Sequence, residues 1–175
     1  MVERPSQPHG GHGAAAAPER LDARAQALRD LALQALQEFT PQPAASLDLP
    51  ALMLPPEGVA AACRVLRDDP RLRFQMLLCL TVVDYQDRFQ LVYHLLSIEH
   101  NHVLVLKVDL ADYEHPRVPS VAAVWPGAEW YEREAHDLFG VTFEGHPDLK
   151  PLLLWEGFEG YPGRKSYPFY DYQEW

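Results

Sequence analysis

RFQMLLCLTVVDYQDRFQLVYHLLSIEHNHVLVLKVDL, residues 73–110, decides the fold. Three apolar runs are separated by two short polar breaks, one over residues 84–88 and one over 99–101. In the middle run Phe89, Leu91, Tyr93 and Leu95 share one face and Gln90 and His94 the other, the two-residue period of a strand. The first run sets Phe74, Met76, Leu78 and Leu80 against Gln75, Leu77, Cys79 and Thr81. Both of its faces are largely apolar, which predicts a central strand. Residues 103–110 form the third run. Strands this close in sequence predict an antiparallel meander.

The flanking segments supply helices. From Pro18 onward Leu21, Ala25, Leu28, Ala32, Leu36 and Phe39 recur at helical spacing, and Pro41-Gln42-Pro43 ends the run. Residues 47–54 read as a short edge strand interrupted by Pro50. Pro55-Pro56-Glu57 opens a second helix with Val59, Cys63 and Leu66 on its inner stripe, stopped at Asp69-Pro70. Ser120 is placed to cap a short helix reaching Trp125. The expectation is an α+β domain over residues 18–144, with helices packed on a mixed, largely antiparallel sheet and an extended C-terminal tail. Residues 1–17 are rich in Gly, His, Pro and Ala without apolar periodicity, which predicts a disordered N-terminal arm.

Composition narrows the function classes. The chain has 175 residues and a net charge of −10, the wrong sign for a nucleic-acid footprint. Cys63 and Cys79 form no CxxC and lie in apolar surroundings, so buried thiols in a reducing compartment are expected. Two cysteines are too few for an iron–sulfur cluster, which usually takes four ligands. No Walker loop and no GxGxxG is present to cradle phosphate. No apolar run reaches the ~18 residues of a membrane span. The pairs His100/His102 and Glu132/His136 could each be half of a zinc site, but two ligands do not make one. Glu132 and Glu134 lie two apart on a helix and point to different faces, which argues against a shared acid–base site.

The chemistry-bearing residues concentrate in YEREAHDLFGVTFEGHPDLKPLLLWEGFEGYPGRKSY, residues 131–167. It opens with a charged helix stopped by Gly140. Tyr131, Ala135 and Leu138 share its apolar face, Glu132 and Glu134 flank that face, and Arg133 and Asp137 are four apart and placed to pair. Beyond it, residues 145–175 combine helix-breaking Gly and Pro with many aromatics, including Trp155, Phe158, Tyr161, Tyr167 and Phe169. Disordered segments are normally poor in aromatics, so the tail is expected to lie extended on a partner. The interface candidates are Glu132, Arg133, Glu134, Asp137, His146, Asp148, Arg164 and Lys165.

These residues carry a resemblance. The runs Ala128-Glu129-Trp130-Tyr131-Glu132-Arg133-Glu134, Asp137-Leu138-Phe139-Gly140 and Phe143-Glu144-Gly145-His146-Pro147-Asp148-Leu149 resemble the signature of the C-type, 30-kilodalton subunit of respiratory NADH:quinone oxidoreductase, complex I. Arg164-Lys165-Ser166-Tyr167-Pro168 resembles that family's closing motif, with Ser166 where the family usually has an aspartate. Residues 81–85 and Val118-Pro119-Ser120 also fit. The resemblance implies a non-catalytic subunit of the hydrophilic arm, peripheral on the cytoplasmic side of the cell membrane and attached through the complex. It implies contact with the D-type subunit and neighbouring cluster-bearing subunits. It also implies support for assembly of the quinone-reducing module and for electron transfer from NADH to quinone, coupled to proton translocation. It implies no cofactor in this chain, with FMN and iron–sulfur clusters in partner subunits. Related subunits serve ferredoxin- and hydrogenase-linked sister complexes. Outside the resemblance stand two other readings: a soluble adaptor with an aromatic docking tail, and a metal-dependent enzyme using Glu132, His136 and His146.

Overall fold

The computed structural model describes residues 20–168. The arm expected over 1–17 and the tail's last residues, 169–175, lie outside the described residues. Two helices come first in the chain. Helix α1 (Ala23–Ala35) starts where the Asp22 side chain accepts the Ala25 amide at 2.7 Å, later than the Pro18 start suggested by the sequence. Helix α2 (Val59–Asp68) buries Val59, Ala62, Cys63 and Leu66, the expected stripe. Strands β1 (Gln42–Pro43) and β2 (Ala51–Met53) lie between them.

The meander forms as read, with β3 (Met76–Asp84), β4 (Phe89–Ser97) and β5 (His102–Leu110) joined by short turns. The sheet order is β1-β2-β5-β4-β3, and only the β2–β5 pair is parallel. The fold class is therefore the expected one, α+β with helices on a mixed, mostly antiparallel sheet. Leu91, Tyr93 and Leu95 of β4 and Leu104, Leu106 and Val108 of β5 face the helices and form one core with Leu28, Ala32, Leu36 and Leu66.

Three expectations are corrected. Strand β3 is not central but lies at the sheet's edge. Its two apolar faces have a local cause: a bulge between Leu77 and Cys79 shifts the register, so Leu77 points inward before it and Leu80, Val82 and Asp84 after it. Side chains cover part of the open edge. Tyr131 donates its hydroxyl to the Leu78 carbonyl at 2.8 Å, and Trp125 Nε1 donates to the Phe74 carbonyl at 2.9 Å. Strand β2, expected at an edge, is covered by β1, whose Pro43 suits the edge position instead. Finally, residues 120–125 make a single turn, with Val124 and Trp125 amides both bonded to the Val121 carbonyl, and no helix.

A further unit was not foreseen. Strand β6 (Arg117–Pro119) and strand β7 (Thr142–Glu144) pair in parallel on either side of helix α3 (Ala128–Phe139) in sequence. This short β-α-β unit carries the motif residues and packs α3 beside β3. After β7 no regular element occurs among the described residues. No helix among them is long and apolar enough to cross a membrane.

The core assignment predicts a sharp contrast. Leu66→Ala, at a fully buried position, should cost about 2–5 kcal/mol of unfolding free energy. Ile98→Ala, 66% exposed in the β4–β5 turn, should change it by less than about 0.5 kcal/mol. Urea denaturation monitored by circular dichroism measures both, and equal losses would contradict the assignment.

Candidate functional site

Helix α3 ends at Gly140, whose φ of 77° is left-handed and whose amide bonds to the His136 carbonyl at 2.9 Å. A Cβ at Gly140 would lie 2.6 Å from the Tyr161 ring and 2.9 Å from Arg164 Nη2. Glycine is needed there twice over, for the backbone and for the tail crossing the helix end.

Three buried carboxylates fix the chain around this helix. Asp137, 6% exposed, uses Oδ2 to accept the amides of Leu152, Leu153 and Leu154 at 3.1, 2.8 and 2.9 Å. Burial alone would raise this carboxyl, but the Leu154, Leu153 and Leu152 amides more than offset it and hold it below the usual range. Asp84, 5% exposed at the end of β3, accepts the Gln86 amide at 2.6 Å, the Tyr113 hydroxyl at 2.9 Å and the Lys165 amide at 2.7 Å. Burial again pushes up, and the Lys165 and Gln86 amides with the Tyr113 hydroxyl pull this group below its ordinary value. Glu132, fully buried, accepts the Ser120 hydroxyl and the Val121 amide, both at 2.6 Å. Here burial wins, and the carboxyl is pushed up to about 7 despite those two bonds. Cys63 and Tyr93 share this interior. Burial, with the Glu132 charge adding, pushes the Cys63 thiol up, and the Tyr93 hydroxyl has no hydrogen-bond partner.

The other candidates serve the same segment. Arg133 donates to the carbonyls of Lys150 (3.0 Å) and Pro151 (2.7 Å) and lies 5.3 Å over the Trp130 ring. The Arg133–Asp137 pair expected from helical spacing is replaced, because backbone groups of the tail take both side chains. Arg164 donates to the Phe139 carbonyl at 2.8 Å and stacks within 5.2 Å of Phe89, Tyr113 and Tyr161. The Gly163 amide reaches the Leu138 carbonyl at 2.9 Å. Ser166 lies beside the Tyr113 hydroxyl, at the edge of the Asp84 cluster. His146 Nδ1 accepts the Asp148 amide at 3.0 Å, and Nε2 lies 3.2 Å from the Glu129 carbonyl and 4.0 Å from Glu132. The Asp148 carboxylate pairs with Lys150 at 2.9 Å on the surface. Glu134 and the Lys165 side chain are exposed.

The structure thus brings Glu132 near His146, to whose ring the Asp148 amide donates, and Lys165 to Asp84, with Arg164 over the neighbouring Tyr113 ring, while the Glu134 side chain is exposed. His136 Nδ1 turns to the Val141 carbonyl at 2.9 Å. His100 and His102 bond the carbonyls of Pro70 and Leu72. Among the described residues no three His, Cys, Asp or Glu side chains gather as a metal set. Asp84, Tyr113 and Ser120 are the residues sequence reasoning left off its site. The available signals were an acid ending an apolar strand, at Asp84, and the family resemblance over residues 81–85 and 118–120.

Glu132 makes a pH prediction. Its folded-state pKa is raised from 4.5 to about 7, so the folded state keeps a proton that the unfolded state has lost. The site's stabilisation is full below about 4.5 and is lost as pH rises through about 7. Asp84 and Asp137, with depressed values, act in the opposite sense and lose their contribution only on acidification. In the difference between wild type and Glu132→Gln those two cancel. Wild type should lose on the order of 3 kcal/mol relative to the variant between about pH 4.5 and 7.5. Parallel denaturation curves across that range would contradict the assignment.

Residues 52–173 match the family described as respiratory-chain NADH dehydrogenase, 30 Kd subunit. The chain is 43% identical over 127 residues to the NADH-quinone oxidoreductase C-type subunit 2 of Rhizobium meliloti, covering 71% of this chain and 69% of that protein. It is 46% identical over 132 residues to the C-type subunit of Cupriavidus pinatubonensis, covering 70% and 66%. It is 49% identical over 118 residues to the C-type subunit of Burkholderia multivorans, covering 62% and 59%. The chain thus spans about two thirds of the length of these relatives, or somewhat less. Among solved structures, a chain of the archaeal membrane-bound sulfane sulfur reductase, a respiratory membrane complex, superposes with a TM-score of 0.67 at 27% identity, over 79% of this chain and 84% of that one. The match covers β2 through the tail, and with it every carboxylate that holds the tail in place: the chain belongs to the 30 Kd subunit family of respiratory-chain NADH dehydrogenase, the C-type subunits of NADH-quinone oxidoreductase.

Proposed function

We propose that this chain is a non-catalytic subunit of the hydrophilic arm of a proton-translocating NADH:quinone oxidoreductase. It supports assembly of the quinone-reducing module, and so electron transfer from NADH to quinone by the whole complex. One observation carries the reading. Glu132, Arg133, Asp137 and Arg164 are spent on bonds within the chain itself, and large apolar side chains are left in solvent beside them. Leu153 is 61%, Trp155 71% and Trp130 60% exposed. Clustered exposed apolar residues of this size mark interaction surfaces. In this reading residues 145–175 are the partner-binding tail, folded in part onto α3 and presenting its outer side to the D-type subunit and neighbouring cluster-bearing subunits. FMN and the clusters reside in those partners, and this chain holds no cofactor. The protein is peripheral, on the cytoplasmic side of the membrane, and attached through the complex.

A second reading has one observation in its favour. The fold likeness to a chain of the sulfane sulfur reductase complex fits a role in a sister complex with a different electron donor.

Affinity purification of the tagged full-length chain from native membranes tests both. The proposal expects cluster-bearing subunits in the eluate, with NADH-dependent quinone reduction that is lost when the gene is deleted. Reduction driven by ferredoxin but not NADH would favour the second reading. A chain that elutes alone would overturn both. Glu134→Ala, on the exposed face of α3, is expected to lower the yield of assembled complex and leave turnover per complex nearly unchanged. Normal yield with a large loss of turnover would place this chain in the chemistry.

A further inference from the structure

The charges around the exposed aromatic face are one-sided. Trp130, Glu134 and Asp137 follow one another at helical spacing on α3. The tail runs along that side: Arg133 joins Trp130 to the Lys150 and Pro151 carbonyls, Asp137 takes the next three amides, and Trp155 then meets Phe158 edge-to-face at 4.7 Å. Between helix and tail lies a cavity of about 140 Å³ lined in part by Asp137, His136, Trp155 and Tyr161.

Three cations of this region are already committed, and Lys165 lies farther along the tail, at Asp84. Arg133 is held by two carbonyls, Lys150 by Asp148, and Arg164 by the Phe139 carbonyl and three rings. The acids are not. Glu134, Glu156 and Glu159 are exposed, and among the described residues no lysine or arginine pairs with them. Exposed apolar side chains that share one helix face and one tail segment with uncompensated carboxylates are complementary to a segment with apolar anchors and cations.

We infer that the face formed by Trp130, Leu153 and Trp155 docks a lysine- or arginine-bearing segment of a neighbouring subunit, whose cations meet Glu134, Glu156 and Glu159. The inference rests on the chain being a subunit of a larger complex and adds the chemistry of the partner. The apolar side chains supply the contact area, and the acids set register and speed encounter. Exposed charges of this kind are screened by salt, whereas the apolar contact is not.

The test uses the tagged full-length chain in its native membranes, comparing wild type with Glu134→Arg/Glu156→Arg/Glu159→Arg. All three positions are exposed, so thermal unfolding of the purified variant should match wild type and separates a docking defect from misfolding. Recovery of cluster-bearing subunits should fall about tenfold at low salt. The gap between variant and wild type should narrow at about 1 M salt, where the Debye length is near 3 Å. A photocrosslinker replacing Trp155 should capture a peptide containing lysine or arginine. Full recovery of partners by the variant, stronger recovery, or capture of an acidic peptide would overturn the inference while leaving the subunit reading intact. If the wild-type chain itself recovers no cluster-bearing subunit, the subunit reading fails, and this inference fails with it.

Discussion

One oxygen of Asp137 accepts three consecutive backbone amides, and the path of the C-terminal segment over α3 turns on it. Residues 145–168 contain too many prolines and glycines to build a helix or a ladder of their own. Their amides still need acceptors wherever they are shielded from water. A carboxylate is suited to this, since charge-assisted bonds are the stronger kind and three donors can converge on one anion. The same bonds keep Asp137 ionised in a place where burial would otherwise neutralise it. Asp84 repeats the device for the Lys165 amide, some 81 residues away in sequence, and ties the far end of the tail to the tip of β3. Between these two anions, Gly163 and Arg164 bond the Leu138 and Phe139 carbonyls at the end of α3.

Glu132 is a different kind of anchor. It fastens the turn after β6 to α3 from inside the core, where burial pushes its pKa up to about 7. Two acids five residues apart on one helix therefore play opposite electrostatic roles. The difference lies in burial and donors together: Glu132 is the more deeply buried and has one hydroxyl and one amide, whereas Asp137 has three aligned amides. Within the motif, Glu132, Arg133 and Asp137 are internal supports, while Trp130 and Glu134 are exposed together with Leu153 and Trp155 beyond it.

Much of the fold was legible because its signals are periodic. The two-residue alternation of β4 placed Phe89, Leu91, Tyr93 and Leu95 on the core side, and they are there. The stripe of Val59, Cys63 and Leu66 was equally clear. The first strand of the meander misled because a bulge changes which residues face inward, and an apolar residue sits at either phase. No local signal distinguishes a bulged edge strand from a central one when both alternations are apolar. The site was legible as a cluster but not as a mechanism. Glu132 was placed beside the apolar face, whereas Ser120 and Val121 draw it wholly inside. Asp137 was assigned to Arg133 by helical spacing, a rule that holds for solvated helices and fails where a second segment supplies better partners to both. Asp84 is reached only through tertiary contact with Tyr113 and Lys165, which sequence spacing does not encode.

Amide hydrogen exchange of the full-length chain tests the central claim most directly, because it reads the bonded amides themselves. The account predicts that Leu152, Leu153, Leu154 and Lys165 exchange far more slowly than their exposed neighbours Glu156 and Glu159. Asp137→Asn should release the three leucine amides and leave the β4 and β5 amides protected. Exchange of Leu152–Leu154 at the rate of an unstructured chain in the wild-type protein would contradict it.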